Sequence, residues 1–282
     1  MRRRVAPYFL LGPGAAWLLL FFVVPLYYLA ELSLNAGVFG SYHFDWHWAN
    51  YSDALNLYDT QFVRSFTYAG LATLFALLLA YPLAYTIAFK AGRWRNVLLF
   101  AVVAPFFTTY LIRTLAWETI LSDQSPVVKV LDFLGLAPEG HVLATGGAVI
   151  AGLTYNFLPF MVLPIYASLE RIDVRLIEAG KDLYASASQT FFRVTLPLSA
   201  PGVVAGTLLT FIPASGDYVN AQFLGSASNQ MIGNVIQSLY LKQSDYPAAA
   251  ALSFVLMAAI LILVLIYIRF AGSEALMGEE AV

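Results

Sequence analysis

Residues Tyr246–Ile268 read YPAAAALSFVLMAAILILVLIYI, a run of 23 residues that contains no charged side chain. A helix of about 20 apolar residues is long enough to cross the roughly 30 Å hydrocarbon core of a bilayer. The whole chain has the same character, because 60% of its 282 residues are hydrophobic and only 11% are charged. Soluble domains carry about a quarter charged residues, so this composition excludes an ordinary soluble enzyme, a disordered chain and a nucleic-acid-binding protein.

Six runs of this kind predict an all-α, polytopic membrane protein with six transmembrane helices. Four of the runs carry no charge, and the other two carry one each, Arg113 in the third and Asp217 in the fifth. The first run is too long for the core of a signal peptide and is counted as a span. All six belong to one predicted transmembrane domain, residues 1–282. The predicted spans cover residues 8–32, 66–89, 97–117, 143–166, 202–223 and 247–269.

The distribution of Lys and Arg predicts the orientation of these spans. With the N-terminus in the cytoplasm, eleven of the fifteen basic residues lie on the cytoplasmic side, and only Arg64, Lys129 and Lys242 lie outside. An excess of positive charge in cytoplasmic loops is the rule for membrane proteins. We therefore expect both the N-terminus and the C-terminus in the cytoplasm.

The cytoplasmic segment 168–200 is too long for a turn and is strongly patterned. From Arg171 to Pro201 it reads RIDVRLIEAGKDLYASASQTFFRVTLPLSAP. Asp173 can cap a helix that begins at Val174. One face of that helix is apolar and mostly small, whereas its charged residues point elsewhere. The apolar face consists of Leu176, Ile177, Ala179, Gly180 and Leu183, and the charged residues are Arg175, Glu178, Lys181 and Asp182.

A second short helix is expected to follow within the same segment. Ser186 and Gln189 form an S-x-x-Q capping box, which predicts a helix start at Ala187. Pro197 favours an extended conformation at Leu196 and is expected to end that helix. The result is a helix–turn–helix that lies flat on the cytoplasmic face. Two interpretations remain open, a docking surface for another protein or an amphipathic helix that rests on lipid headgroups.

Glu178-Ala179-Gly180, then Leu183, and then Leu196-Pro197 resemble the E-A-A…G…L-P loop of permease subunits of bacterial ABC importers. The resemblance covers most of the chain from Val5 to Tyr267 and is closest to the first permease subunit of spermidine/putrescine-type systems. Further matching segments are Pro82–Tyr85, Pro105–Thr108, Tyr110–Thr114, Ala116-Trp117, Leu158–Phe160, Leu163-Pro164, Phe211–Pro213 and Gly216–Tyr218.

This chain departs from the family pattern at two positions of that loop. Gly180 stands where the family has Ala, and Tyr184 stands where the family has Gly. A Gly at the end of a helix commonly adopts a left-handed conformation, which costs a Tyr a steric penalty. Either Ser186 makes the turn instead, or the helix continues for one more turn.

The resemblance implies an ABC type I importer permease fold, in which this loop couples the membrane subunit to an ATPase. It implies the following partners: a second permease subunit, an ATPase dimer, an extracytoplasmic substrate-binding protein and the lipid bilayer. The chain lacks the G-x-x-x-x-G-K-[ST] loop of nucleotide-binding proteins, so we expect ATP and Mg to be bound by the ATPase. The implied coupling residues are Glu178, Ala179, Gly180, Asp182, Leu183, Leu196 and Pro197, flanked by Arg171, Arg175 and Arg193.

A charged side chain inside a span costs free energy, so such a residue usually faces a cavity or a partner. Asp217 is a residue of this kind. The neighbouring Pro213 and Gly216 weaken the helix there, so Asp217 could line the path of a cationic substrate. Alternatively, Asp217 pairs with Arg113 or reaches the outer surface. The predicted path residues are Asp217, Tyr218, Tyr155 and Asn156.

No catalytic constellation and no metal site are expected. The chain has no cysteine, and its three histidines lie in outer loops. His43 and His47 have the spacing of a metal clip only on a helix, and their surroundings favour a solvated loop. The resemblance implies a permease of the bacterial inner membrane, with a polyamine such as spermidine or putrescine as cargo. The alternatives are another small solute, or a secondary transporter that works alone.

Overall fold

The computed structural model describes residues 6–135, 137, 140–182 and 184–271, with the side chains of residues 6–11, 181 and 271 left out. The predicted coupling residue Leu183 and the N-terminal arginines Arg2, Arg3 and Arg4 lie outside the described residues, as does the end of the chain. The predicted role of Lys181 likewise concerns a side chain that is not described.

The described chain is almost entirely helical, as the sequence predicts. A two-stranded antiparallel hairpin pairs β1 (Asn35–Ala36) with β2 (His43–Phe44). The helices are α1 Ala6–Leu18, α2 Val24–Ser33, α3 Ala49–Leu57, α4 Asp59–Phe89, α5 Arg95–Val103, α6 Tyr110–Ile120, α7 Pro126–Phe133, α8 Gly146–Glu170, α9 Val174–Asp182, α10 Ala187–Thr190, α11 Leu196–Ser215, α12 Val219–Leu224, α13 Ile232–Leu241 and α14 Tyr246–Ala271.

Five helical segments within the described ranges are long and apolar enough to cross a membrane. A sixth candidate consists of two helical pieces that are bent against each other. The predicted number of six spans agrees with this count when the bent pair is taken as one span. The five unbroken segments are Gly12–Ser33, Asp59–Phe89, Gly146–Glu170, Ala187–Ser215 and Tyr246–Phe270.

The third predicted span, residues 97–117, is wrong as a continuous helix. Its two parts, Gly92–Phe107 and Tyr110–Ile120, meet at an angle of 96°. Thr108 and Thr109 are extended, with ψ angles of 141° and 147°, and therefore interrupt the helical hydrogen bonds. Hydropathy does not reveal this break, because it reports composition along the chain and not the backbone angles of Thr108 and Thr109.

The fifth span also differs from its prediction. Leu196 is helical rather than extended, and α10 continues through a π-helical turn, Phe191–Thr195, into α11. Pro197 therefore does not end a helix, and the predicted flat helix–turn–helix is wrong in its second half. Proline lacks the N–H that an α-helix uses, and the wider π turn in front of it accommodates that loss.

The helix α11 ends at Ser215, earlier than the predicted residue 223. Gly216 closes it, and the short helix α12 begins only at Val219. The expected weak point near Pro213 and Gly216 is thus confirmed as the end of the helix. Asp217 lies in this interruption between two helices, where side-chain and backbone polar groups can meet.

One compact unit comprises Thr60–Asn234 together with the chain from Ala259. Within it α8 packs against α11, where Gly202 and Gly206 form a G-x-x-x-G motif. A Cβ atom at Gly202 would lie 2.5 Å from the backbone carbonyl oxygen of Pro164, so only glycine permits this approach. Small residues at this spacing let membrane helices pack closely. The helix α4 contributes a buried stripe of Ala69, Ala72, Ala76, Ala80 and Ala84.

The other compact unit comprises the chain up to Asp59 together with Val235–Ala258. Polar side chains fix the hairpin region to the end of α2. Asn50 donates hydrogen bonds to the carbonyl oxygens of Ser33 and Asn35, at 2.9 and 3.0 Å. The hydroxyls of Ser33 and Tyr51 lie 2.7 Å apart. These contacts give the aromatic segment between the first two spans a defined structure that lacks any apolar periodicity.

Candidate functional site

The first candidate site is the α8–α11 loop, which we define as residues Arg171–Thr195. The side chain of Asp173 accepts a hydrogen bond from the backbone N–H of Arg175 at 2.9 Å. The helix α9 begins at Val174. The predicted cap and helix start are therefore confirmed.

The predicted capping box is also confirmed. The Ser186 hydroxyl accepts from the Gln189 N–H at 3.2 Å, and the Gln189 side chain accepts from the Ser186 N–H at 2.9 Å. The helix α10 begins at Ala187. Two reciprocal bonds satisfy donors that a helix start leaves free, so the end of the turn has a fixed shape.

The turn between α9 and α10 is made by Tyr184 itself. Its backbone φ angle is +58°, which is the left-handed region. The N–H of Ala185 donates to the carbonyl oxygen of Gly180 at 3.1 Å and closes the end of α9. The helix is not extended by a turn, and Tyr184 occupies the conformation that a glycine adopts without strain. Its side chain is 98% exposed.

The fold partly buries the predicted small-residue face of α9 and leaves the rest of it exposed. Gly180 is half-buried against α10, and an added Cβ would lie 3.2 Å from the Thr190 hydroxyl. Ile177 is half-buried and packs against the core of α4 and α8. At these two positions the face therefore makes contacts inside the protein, and these contacts stabilise the loop. The predicted coupling residues that remain exposed on α9 are Glu178, Ala179 and Asp182.

Leu196 and Pro197 lie in α11 rather than in the turn of the α8–α11 loop. Leu196 is half-buried and Pro197 is exposed. The three basic residues expected to flank the contact are all exposed: Arg171, Arg175 and Arg193. The loop thus presents charged and aromatic side chains on a backbone that caps and turns hold in place.

The second candidate site is the polar cluster, which we define by six residues contributed by α6, α8, the break after α11 and α12: Tyr110, Arg113, Thr114, Asn156, Asp217 and Asn220. Asp217 is only 8% exposed. One of its carboxylate oxygens accepts a hydrogen bond from the Tyr110 hydroxyl. The other accepts from the backbone and side chain of Asn220, at 2.8 and 3.2 Å.

The cluster continues from Asn220 into α8. The side-chain amide of Asn156 donates to the amide oxygen of Asn220 at 3.1 Å and to the Thr114 hydroxyl at 3.4 Å. Asn156, Asn220 and Thr114 are all buried. Asp217 and Asn156 therefore belong to one hydrogen-bonded network, in which Asn220 links them. Buried polar networks of this kind are stable only when their members find partners.

Arg113 lies beside this network but does not pair with Asp217. Among the described residues, no ion pair within 4.0 Å joins the two. The guanidinium carbon lies 4.8 Å from the ring centre of Phe106 and 5.6 Å from that of Tyr110. The alternative of a structural Asp217–Arg113 pair is therefore not the arrangement in this conformation.

Tyr155 and Tyr218 lie apart from the cluster. Tyr155 packs edge-on against Trp117, with ring centres 5.4 Å apart, and lines an apolar cavity of about 620 Å³ with Phe75 and Leu79. Tyr218 has a side chain that is 42% exposed. Its carbonyl oxygen accepts a hydrogen bond from Asn234 at 2.8 Å. Adjacent residues of a helix point about 100° apart, so Tyr155 and Asn156 face different surroundings.

Four members of the polar cluster are not among the predicted path residues: Tyr110, Arg113, Thr114 and Asn220. Tyr110 and Thr114 are four residues apart and therefore share one face of a helix. Asn220 follows Asp217 by three residues. This is the spacing at which a capping carboxylate accepts a hydrogen bond from a backbone N–H. Both spacings are visible in the sequence, but the break before Tyr110 is needed to bring the two segments together.

Comparison with known proteins identifies relatives of this chain. A family model described as "Binding-protein-dependent transport system inner membrane component" matches residues 72–275. The spermidine/putrescine transport system permease protein PotB of Haemophilus influenzae is 38% identical over 257 residues, which cover 90% of each chain. PotB of Escherichia coli K12 is 40% identical over 222 residues, covering 78% of this chain and 81% of the relative.

The fold is similar to that of a solved transporter chain. In the crystal structure of a bacterial alginate ABC transporter in complex with an alginate pentasaccharide-bound periplasmic protein, one chain matches with a TM-score of 0.74. The match covers 97% of this chain and 96% of that chain at 19% sequence identity. At this identity the likeness concerns the fold alone, and it supports the predicted importer permease architecture.

Proposed function

Because the chain belongs to the family of binding-protein-dependent transport system inner membrane components, we propose that it imports polyamines as one permease subunit of an ATP-driven ABC transporter. A second permease subunit completes the translocation path. An ATPase dimer binds ATP and Mg, and a substrate-binding protein delivers the cargo from outside. The identity to PotB over 90% of the chain supports spermidine or putrescine as the cargo.

The α8–α11 loop is the proposed contact with the ATPase. Its capping box and the hydrogen bond that closes the end of α9 resist deformation. A force on the exposed residues Glu178 and Asp182 is therefore transmitted to α11. The helix is continuous from Ala187 to Ser215 and leads directly to Asp217. A rigid helix between two sites is a physical means of coupling them. Both chain ends and this loop are proposed to lie in the cytoplasm.

The polar cluster is the proposed contact with cargo. The single observation that carries this assignment is the buried carboxylate of Asp217, which receives hydrogen bonds only from neutral donors in the described chain. A buried carboxylate without a counter-ion attracts a cation strongly, since the surrounding dielectric is low. A polyamine carries such cations, and it offers ammonium groups that can replace the neutral donors.

Uptake of radiolabelled spermidine by the complete transporter in proteoliposomes tests the proposal. Asp217→Asn keeps the shape of the side chain and removes its charge, so we expect transport to fall while assembly is retained. Asp45→Asn is the matched control, because Asp45 is exposed near the hairpin. Unchanged spermidine uptake by Asp217→Asn would contradict the assignment. Uptake that persists without ATP under a proton gradient would instead favour a secondary transporter.

A further inference from the structure

Arg113 is a buried cation, and two of its three guanidinium nitrogens have no hydrogen-bond partner in the described chain. The residue is 8% exposed, and its Nε and Nη1 atoms are buried without a hydrogen-bond partner in the described chain. Its guanidinium contacts the ring faces of Phe106 and Tyr110. A desolvated cation–π contact contributes about 2 kcal/mol, whereas burying an ion costs several kcal/mol. The conformation therefore leaves the charge of Arg113 incompletely compensated.

Asp217 is a buried anion in the same compact unit, and it too has no partner of opposite charge among the described residues. Its carboxylate is equally buried and accepts hydrogen bonds from Tyr110 and Asn220, which are neutral. None of the described cationic side chains lies within 4.0 Å of it. Two opposite charges are thus buried in one cluster, and each would be stabilised by the other.

Tyr110 separates the two charges. Its ring contacts the guanidinium of Arg113, and its hydroxyl donates to Asp217. Both charged residues also follow breaks in their helices. Arg113 lies one turn after the extended residues Thr108 and Thr109, and Asp217 lies in the gap after Ser215. Dihedral changes in these breaks can move either side chain without unfolding a span.

We propose that Arg113 competes with the cationic cargo for binding to the carboxylate of Asp217. In the empty transporter, Arg113 pairs with the Asp217 carboxylate in a second conformation. An ammonium group of the cargo displaces the guanidinium, which then rests against Phe106 and Tyr110 as in the described state. Arg113 is in this sense a specificity-determining residue. The inference deepens the proposed function and rests on it, because it takes Asp217 as the contact for cargo.

Competition between Arg113 and the cargo has two physical consequences for transport. An uncharged solute cannot displace a guanidinium from a carboxylate in a low-dielectric site, so the pair excludes neutral cargo. The returning guanidinium also replaces the cargo cation at Asp217, so the carboxylate need not be left unpaired when the cargo departs. Release of cargo then avoids the cost of a bare buried charge.

A double-mutant cycle with Asp217→Asn tests the competition. Spermidine is titrated calorimetrically into the assembled transporter without its binding protein. If the pair is occupied about nine-tenths of the time when the site is empty, Arg113→Gln lowers the apparent Kd about tenfold. The same substitution in the Asp217→Asn background should leave the Kd unchanged. Arg113→Lys keeps the cation and should stay near the wild-type Kd.

Thermal stability separates competition from a merely structural role. In the empty transporter Arg113→Gln removes the partner of the Asp217 carboxylate, so the Tm should fall in the wild-type background and change less in the Asp217→Asn background, whereas a merely structural role would lower it equally in both. Equal changes in Kd in both backgrounds, or no change in either, would overturn the inference. Polyamine transport that requires Asp217 but shows no coupling to Arg113 would leave the proposed function intact. A wild-type complex that neither binds nor imports polyamines would instead contradict the proposed function itself.

A structural measurement covers the case in which Arg113→Gln fails to assemble. Cryo-electron microscopy of the wild-type complex, without cargo and with spermidine, locates the guanidinium in each state. The competition predicts an Arg113–Asp217 contact within about 4 Å, the ion-pair range, in an empty state, and its loss when spermidine is bound. Separation of the two groups in every state of the empty transporter would overturn the inference.

Discussion

The Tyr110 hydroxyl donates a hydrogen bond to the carboxylate of Asp217, and this contact joins the start of α6 to the break between α11 and α12. The two residues are 107 positions apart in sequence. Each lies at a place where a membrane-spanning segment is interrupted. The contact therefore connects two breaks in the helical framework, and it places the buried carboxylate at the point where helices can shift against each other.

The substitution Tyr110→Phe removes this donor and leaves the ring in place. A hydrogen bond to a charged group contributes about 1.5–3 kcal/mol, so we expect lower stability and altered cation binding. The measurement is the Tm of the purified complex, together with spermidine uptake. Tyr240→Phe is a suitable control because Tyr240 is 52% exposed. Equal behaviour of the two variants would show that the hydroxyl of Tyr110 is dispensable.

The substitution Tyr184→Gly should stabilise the α8–α11 loop. A left-handed backbone costs a non-glycine residue about 1–2 kcal/mol, and glycine adopts it freely. Slower hydrogen exchange of the Ala185 amide, which bonds to Gly180, would report this gain. Tyr184→Ala serves as control, because it removes the exposed ring but keeps the strain. Faster exchange in the glycine variant would contradict the strained turn.

The neighbouring residues Gly180 and Ala179 should respond differently to a larger side chain. A Cβ at Gly180 would approach Thr190 to 3.2 Å, so Gly180→Val should separate α9 from α10 and weaken ATPase binding. Overpacking of this kind typically costs about 1–3 kcal/mol. Ala179 is exposed, and Ala179→Val should be tolerated in stability. Limited proteolysis of the loop measures the difference, and equal resistance of both variants would argue against the α9–α10 contact.

The sequence was sufficient for those features of the fold that depend on local chemistry. Uncharged runs located the spans, and Asp173 and Ser186 located the starts of α9 and α10 because capping acts over three residues. The break at Thr108–Thr109 was not predictable, since an extended pair of threonines inside an apolar run has no distinctive composition. The continuation of α10 through Pro197 was missed because the π turn before it depends on packing.

The polar cluster was only partly predictable for a related reason. Asp217 and Asn156 stand out as polar residues in apolar runs, whereas Tyr110 and Asn220 gain their roles from contacts across the fold. Tyr155 and Asn156 are adjacent in the sequence, but neighbouring helix residues point in different directions, and Asn156 alone of the two joins the cluster. A polar residue in a span is thus visible in the sequence, but its partners follow from the breaks in the helices.

The most direct test of the central claim is uptake by the complete transporter in proteoliposomes with Glu178→Lys in the α8–α11 loop. Glu178 is exposed, so this charge reversal should leave the Tm unchanged. The account predicts that ATP-driven spermidine uptake falls strongly in the variant, whereas the wild-type complex imports spermidine only when ATP is present. Wild-type uptake rates in Glu178→Lys, with equal dependence on ATP, would contradict the role of this loop in coupling.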